Sequence, residues 1–391
     1  MLFRSVDENG NIPKTKVPVL VEPELVDLAR KNVELVDLRK APLADVARKA
    51  KEIAAAPKPY AEPKKIEFFA EEAAATAPSP LSGHHIYDTS VFYAWVKLLA
   101  YAQKFGELKM TEYDEEQKEY NNILVTIGAH SSCVEMPLRQ YVTDEEIREY
   151  YENNLLGMVK PSERGIAYTY GDRLFRYCGV DQIGYIVDKL GKKPYSRRAV
   201  AVLWNPQTDE EDEHGPCLNL LACNIHGDEV FMTAVFRSQD LYGAWVRNVL
   251  GLMMLQKEIT ERINAKYGTS YGPGRFSVLS VSAHIYRHDF KAASEVVREH
   301  EGHANRLLLD PKGLFVISIT PKKTIKVEYR SNDGQLLESF EEADGASLYK
   351  TIANSEIFSF FVHSAYLGYQ IAKAENALRA GAPYVQDGAP E

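Results

Sequence analysis

Regular apolar spacing first appears at Val91. Phe92, Trp95, Leu98, Leu99 and Ala102 share one helix face and predict a helix over Val91–Phe105. Tyr120–Ile127 reads as a strand. Asp144–Leu156 reads as an acidic amphipathic helix, with Thr143 or Asp144 as its cap. Ile166–Tyr170 reads as extended and runs into Gly171-Asp172-Arg173. Asp181–Leu190 is a second amphipathic helix, with Gly191 expected as its C-cap. Arg197-Arg198 then precede a five-residue apolar strand that ends before Asn205-Pro206.

The pattern is densest between Pro216 and Asn248. Leu218–Ile225 predicts a buried strand, followed by a turn at Gly227-Asp228. Glu229–Phe236 predicts a second strand, ending at Arg237-Ser238. Leu241–Gln256 is apolar on nearly every side, as a core helix is. Phe276–Tyr286 predicts a further strand, on which His284 and Tyr286 share one face. Cys217, Arg237, Ser238, Asp240 and Asn248 are polar groups set into these apolar elements. Buried polar groups need partners, and a polar ligand is the simplest one.

Composition adds bounds. The chain has 391 residues, 45% of them hydrophobic, enough for a sizeable core. The net charge of -9 argues against generic binding to nucleic acid or to a membrane surface. Four cysteines without a Cys-x-x-Cys pair suit free thiols in a reducing cytoplasm. The apolar runs are too short to span a bilayer, and the N-terminus lacks the apolar core of a signal peptide, so a cytoplasmic location is expected. Pro42–Pro80 is rich in Ala, Pro, Lys and Glu. Leu43–Ala55 suits a short helix, and the residues after it suit an extended linker. Residues 1–82 are therefore expected to be a partly ordered arm, and residues 83–391 the folded domain.

The candidate chemistry centres on two groups. Cys223 lies mid-strand and reads as an inert core residue, whereas Cys217 lies where a loop meets a strand. A nearby Arg237 would favour its thiolate. Arg197 and Arg198 alone suit a solvated basic turn; with Arg237 and Ser238 they would balance one phosphate dianion. Other features read plainly. His300 and His303 suit a polar helix surface, with no third metal ligand in view and no metal expected. Tyr271-Gly272-Pro273-Gly274 suits a turn, and Lys322–Lys326 a solvated strand edge.

In order and spacing, DQIGYIVDKLGKKPYSRRAVAVLWNP, PCL, FRSQDLYGAWVRN and SAHIY resemble thymidylate synthase over about Tyr168–Tyr286. The C-terminal DPKGLFVISI and AYLGYQIAKAENALRAGAPYVQD are similar to divergent thymidylate synthases of archaeal type. The resemblance implies an α+β fold: a mixed sheet with flanking helices, dimerising through the sheet face with shared active sites. It makes residues 83–391 the catalytic domain. The implied reaction moves a one-carbon unit from methylene-tetrahydrofolate or methylene-tetrahydromethanopterin to carbon 5 of dUMP, giving dTMP.

The resemblance also implies roles. Cys217 would bond to carbon 6 of the uracil. Arg237 would hold phosphate and lower the thiol pKa, with Ser238 adding a hydrogen bond. Arg197 and Arg198 would reach across a homodimer interface. Asn248 would read the base, and His284 with Tyr286 would bind the 3'-hydroxyl. Asp240 would bond the pterin ring or else cap a helix. Glu135 is the candidate for a water-ordering glutamate, with Glu149 and Glu163 behind it. Three positions depart from the family: Leu218 replaces a histidine, Phe236 a glutamine and Leu174 a tryptophan. These changes fall on the cofactor side. They leave open a 5-hydroxymethyltransferase acting on dUMP or on CMP/dCMP, or a non-catalytic nucleotide-binding homologue.

Overall fold

The computed structural model describes residues 82–128, 135–159, 163, 168–210, 215–304, 308–355 and 357–388. The expected arm, apart from residue 82, lies outside the described residues, as do Cys133 and the acidic loop 211–214.

The described part opens with β1 (His84–Asp88) and the helix α1 (Val91–Phe105), whose bounds match those its apolar spacing predicts. Ser90 caps α1, its side chain accepting from the Tyr93 N–H. Next come β2 (Glu107–Met110) and β3 (Glu116–Ile127). The helix α2 (Asp144–Tyr150) begins with a capping box between Thr143 and Glu146. It continues into a π-helical turn, Tyr151–Leu155. Of the run expected to be extended, Ile166–Tyr170, residues 166–167 lie outside the described residues and Tyr170 is helical. Thr169 caps a short helix there, α3 (Tyr170–Phe175).

The helix α4 (Gln182–Lys192) is capped by Asp181 and runs through Gly191 instead of ending at it. Gly191 serves packing: a Cβ there would collide with the Tyr267 ring. Then follow β4 (Val200–Val202), the single turn α5 (Pro206–Asp209), β5 (Leu218–His226) and β6 (Glu229–Asp240). The core helix α6 spans Trp245–Tyr267, later at both ends than its apolar run suggests. It starts late because Asp240 Oδ1 accepts the Tyr242 and Gly243 N–H groups, both at 3.0 Å, and holds residues 241–244 in a turn. β7 (Gly272–Tyr286) and α7 (Phe290–Ala304) complete this part, and β7 takes in the glycines expected to form a turn.

These strands form one mixed sheet of seven, ordered β1-β3-β7-β6-β5-β4, with β2 paired to β3. β6 and β7 run parallel, with Asp240 opposite His284; β5 runs antiparallel to β6. The start of β5 and the ends of β6 and β7 therefore meet at one edge. Helices flank the sheet, and the fold is α+β as expected. The first core is built around Phe92, Trp95, Phe236, Trp245 and Phe276, all closed to solvent. Residues 314–380 form a second, three-stranded sheet: β8 (Leu314–Ile319), β9 (Ile325–Arg330) and β10 (Leu336–Glu342). Helices α8 (Gly345–Ala353) and α9 (Phe361–Ala380) pack on it around a separate core of Ile325, Val327, Leu348 and Ile371.

One buried ion pair braces the wall beside α3. Arg173 donates from both Nη atoms to the two oxygens of Asp209, each at 2.7 Å, and from Nη1 to the Leu203 carbonyl at 2.9 Å. Asp209→Ala would leave this guanidinium buried without its carboxylate. Such a loss costs roughly 3–5 kcal/mol. Urea unfolding is expected to show a drop of that order; a drop below about 1 kcal/mol would mean the pair is well hydrated.

Candidate active site

Where β5, β6 and β7 meet α2, α3 and α6, they enclose a cavity of about 580 Å³. That lies within the ~300–1,000 Å³ range of small-molecule sites. Its wall includes Cys217, Ser238, Asp240, Asn248, His284 and Tyr286, six residues singled out from the sequence. Tyr150, Asn154, Tyr168, Tyr170 and Gln239 also line it, and sequence reasoning assigned them no role. The only local signal was the Tyr-x-Tyr-Gly run that precedes α3.

Strand pairing explains the grouping. The Arg237 N–H donates to the Cys217 carbonyl at 2.9 Å, so the thiol residue is clamped beside the end of β6. The Leu241 N–H donates to the His284 carbonyl at 2.8 Å, carrying the β6–β7 pairing one residue past Asp240. Trp95 Nε1 donates to the Leu241 carbonyl at 2.7 Å, pinning this turn to α1. Asn248 comes from the first turn of α6, and its Oδ1 accepts the Tyr150 hydroxyl.

Burial sets the electrostatics. It raises the Cys217 thiol above its ordinary value, and Arg237 pulls the other way without prevailing. Arg237 thus lowers the thiol pKa as expected, but burial outweighs it and the thiolate is not favoured. Burial lowers the His284 pKa to about 4, so the imidazole is neutral at pH 7. Asp240 is raised by burial, opposed by the N–H groups of Gly243 and Tyr242. Tyr168 is pushed up to about 12 and Tyr170 well above its usual value, both chiefly by burial. Their oxygens lie against the backbone of Cys217 and Leu218 respectively.

Two buried nitrogens on this wall, His284 Nε2 and Gln239 Nε2, have no hydrogen-bond partner among the described residues. A buried polar atom without a partner is costly, and a bound ligand would supply one. His284 Nδ1 has the Ser282 hydroxyl at 3.3 Å, which leaves Nε2 as the nitrogen available to a ligand. Asp240 Oδ2 has no hydrogen bond among the described residues, so that oxygen can accept from a donor-bearing ring.

Other expected residues are not on the wall. The Arg237 guanidinium donates to the carbonyls of Gly215 (2.7 Å) and Pro216 (3.2 Å) and lies over the Trp204 ring. Arg197 and Arg198 are exposed before β4. Glu135 is not brought to the cavity. Its carboxylate accepts the Ser90 hydroxyl and, at 2.7 Å, the Val91 N–H, and so holds the start of α1. Glu149 and Glu163 are exposed. Leu174, Leu218 and Phe236, the departures from the resemblance, are closed off in the core. His300 packs edge-on against Phe92 and meets the Tyr141 hydroxyl at 3.0 Å, so it faces aromatic rings instead of open solvent. No cluster of metal-ligating side chains occurs among the described residues, and no helix there is long and apolar enough to cross a membrane.

Residues 143–334 match the family model described as thymidylate synthase. Residues 309–387 match a different model, PterinBD-DUF4346, so the C-terminal stretch expected to be similar to archaeal synthases falls to another family model. Among curated relatives named "Putative thymidylate synthase", that of Methanothermobacter marburgensis is 31% identical over 218 residues, covering 52% of this chain and 93% of the relative. That of Methanocaldococcus jannaschii is 35% identical over 206 residues, covering 50% and 88%. That of Methanopyrus kandleri is 37% identical over 150 residues, covering 38% and 68%.

His284 gives the site a pH signature. The unfolded chain takes up its proton near pH 6.5, the folded chain only near pH 4. Stability is therefore unaffected above about pH 6.5 and is lost as pH falls through that window. Between pH 7.5 and 4.5 the loss is expected to be on the order of 2–3 kcal/mol. His284→Gln should remove that share of the acid sensitivity in urea melts; an unchanged pH slope would contradict the assignment.

Proposed function

The chain belongs to the thymidylate synthase family, and from that premise we propose that it transfers a one-carbon unit to carbon 5 of dUMP, giving dTMP, through a bond between Cys217 and carbon 6. The observation that carries the reading is one cavity whose wall includes Cys217, Asn248 and His284, the last with an Nε2 that has no hydrogen-bond partner among the described residues.

Carbon 6 of uracil is a conjugate acceptor. The Cys217 sulfur gives its electron pair to carbon 6, and the ring π pair moves through carbon 5 and carbon 4 onto O4. Asn248 Nδ2 donates to O4, where that charge collects. Carbon 5 takes up the one-carbon unit, loses its proton, and Cys217 departs. Covalent catalysis thereby divides one difficult substitution into feasible steps. Because burial keeps the free thiol protonated, its proton must pass to solvent before the sulfur bonds to carbon 6, and the Arg237 charge is the feature that favours this loss. Ser238 and Arg237 hold the phosphate, Arg237 through the N–H groups that its two carbonyl partners do not use. Arg197 and Arg198 of a second copy complete that charge in a homodimer. His284 Nε2 and Tyr286 take the 3'-hydroxyl.

A methylene-carrying reduced pterin supplies the one-carbon unit and, for a methyl product, the hydride. Two features suit such a group: Asp240 Oδ2 can accept from its ring N–H donors, and the family matched by residues 309–387 carries pterin binding in its name. Both the tetrahydrofolate and the tetrahydromethanopterin forms carry such ring donors. The second reading, transfer of a hydroxymethyl group to dUMP or CMP/dCMP, draws on Leu174, Leu218 and Phe236, which bring no polar atom to the cavity.

Incubation with dUMP tritiated at carbon 5 is expected to release tritium with one of the two methylene pterins. No release with either would reduce the cavity to nucleotide binding. Cys217→Ala should abolish release while the Kd for dUMP changes less than about threefold; retained turnover excludes Cys217 as the nucleophile. The product mass separates methyl from hydroxymethyl by one oxygen. Asn248→Asp should shift the preference toward dCMP by roughly ten- to a hundredfold, because a carboxylate accepts from the 4-amino group.

A further inference from the structure

The choice between uracil and cytosine requires more than an amide in the cavity. Asn248 presents an oxygen on one side and an NH₂ on the other, and a half-turn about its last bond exchanges them. We infer that Tyr150 is the positioning residue that sets this choice, by holding Asn248 Oδ1 and so turning the Asn248 NH₂ toward the base. The inference rests on the proposed reading of the cavity as a pyrimidine-nucleotide site.

The argument starts from the Tyr150 hydroxyl. Its contact with Asn248 is part-buried, and desolvation there keeps it protonated far above neutral pH. A buried O–H must donate its hydrogen or bear the full cost of desolvation. Among the described residues its acceptor is Asn248 Oδ1. That settles which side of the amide faces Tyr150. The remaining Nδ2–H groups meet the O4 carbonyl of uracil, whereas the 4-amino group of cytosine would place donor against donor. Oδ1 keeps a second lone pair for the uracil N3–H.

Two features of the backbone are built around this contact. Tyr150 is the last residue of α2, and the π turn Tyr151–Leu155 follows at once. Inserted π turns recur where a helix must re-aim side chains at a site. Gly251 lies on α6 less than one turn past Asn248. A Cβ there would stand 3.0 Å from Tyr150 Cδ1 and 2.7 Å from Leu155 Cδ1. A helix-interior glycine is otherwise a cost, so its service here is room for the Tyr150 ring.

The test is titration of the full chain with dUMP and with dCMP, without pterin. Tyr150→Phe keeps the ring and removes the hydroxyl; the dUMP-over-dCMP affinity ratio is expected to fall about tenfold. In the Asn248→Asp background the same change should move the ratio less than about twofold, since a carboxylate has two equivalent oxygens and nothing to orient. A ratio unmoved by Tyr150→Phe in a folded protein overturns the inference, as does an equal shift in both backgrounds. If Tyr150→Phe does not fold, Gly251→Ala takes its place, because it displaces the ring, and the same outcomes decide. A wild-type chain that binds neither nucleotide, or binds both equally, defeats the nucleotide reading itself and this inference with it.

Discussion

The parallel register of β6 against β7 is the constraint on which the site depends. With Asp240 opposite His284, Ser238 opposite Ser282 and Gln239 opposite Ala283, the end of β6 lies beside the last residues of β7, which runs on to Tyr286. A slip of one residue would turn every second side chain to the other face of the sheet. Ser238, Asp240 and His284 would leave the cavity, and Phe236 would leave the core. The register is held at both ends. Gln256 on α6 donates to the carbonyls of Val230 (2.8 Å) and Gly274 (3.0 Å) where the strands begin. The bond from Leu241 to His284 and the Trp95 contact to Leu241 hold the other end. β5 is then clamped by the Arg237–Cys217 backbone bond, so the nucleophile inherits its position from strand pairing and not from its own loop.

That arrangement carries a cost in stability. A neutral histidine, a half-buried carboxylate and two nitrogens without partners among the described residues are all poorer company for a core than leucine. The fold offsets them with a largely apolar interior behind the sheet, where Phe236, Trp245 and Phe276 are closed to solvent. It is also why Leu174, Leu218 and Phe236 behave as structural residues. Each faces this interior, so each contributes packing and none touches the cavity.

Much of the fold was legible because its elements bury one face. The bounds of α1 followed from five apolar positions, and the strands β5 and β6 from runs rich in apolar and strand-forming residues. What failed was local and had tertiary causes. Gly191 looked like a helix terminus because its demand for space comes from Tyr267, 76 positions away in sequence. Tyr170 looked extended because the Thr169 cap that starts α3 competes with its β-forming neighbours. In the site, residues on strands were found together as the sequence suggested, since strand ends are placed by pairing. Glu135 was not, because a carboxylate before a helix serves equally well as an anchor for that helix. Tyr150, Tyr168 and Tyr170 were missed for a related reason: a tyrosine on an amphipathic segment reads as core until its hydroxyl is seen to reach something.

Those tyrosines change the character of the site. Where the resemblance leads one to expect a histidine, a glutamine and a tryptophan, this chain has apolar residues that retreat into the core. The hydroxyls of Tyr150, Tyr168, Tyr170 and Tyr286 occupy the cavity wall instead. A tyrosine packs its ring as a hydrophobe and still delivers a hydrogen bond at its tip. Burial keeps all four phenols protonated at neutral pH, so their donor pattern does not change as the surroundings acidify. His284 is different, since it takes up a proton once the surroundings turn acid enough. Apart from that imidazole and Asp240, the wall presents a hydrogen-bond pattern that pH does not rewrite. Recognition of a neutral base then depends on which way a single amide is turned, and that orientation is set by a residue from α2, an element remote from the nucleophile in sequence.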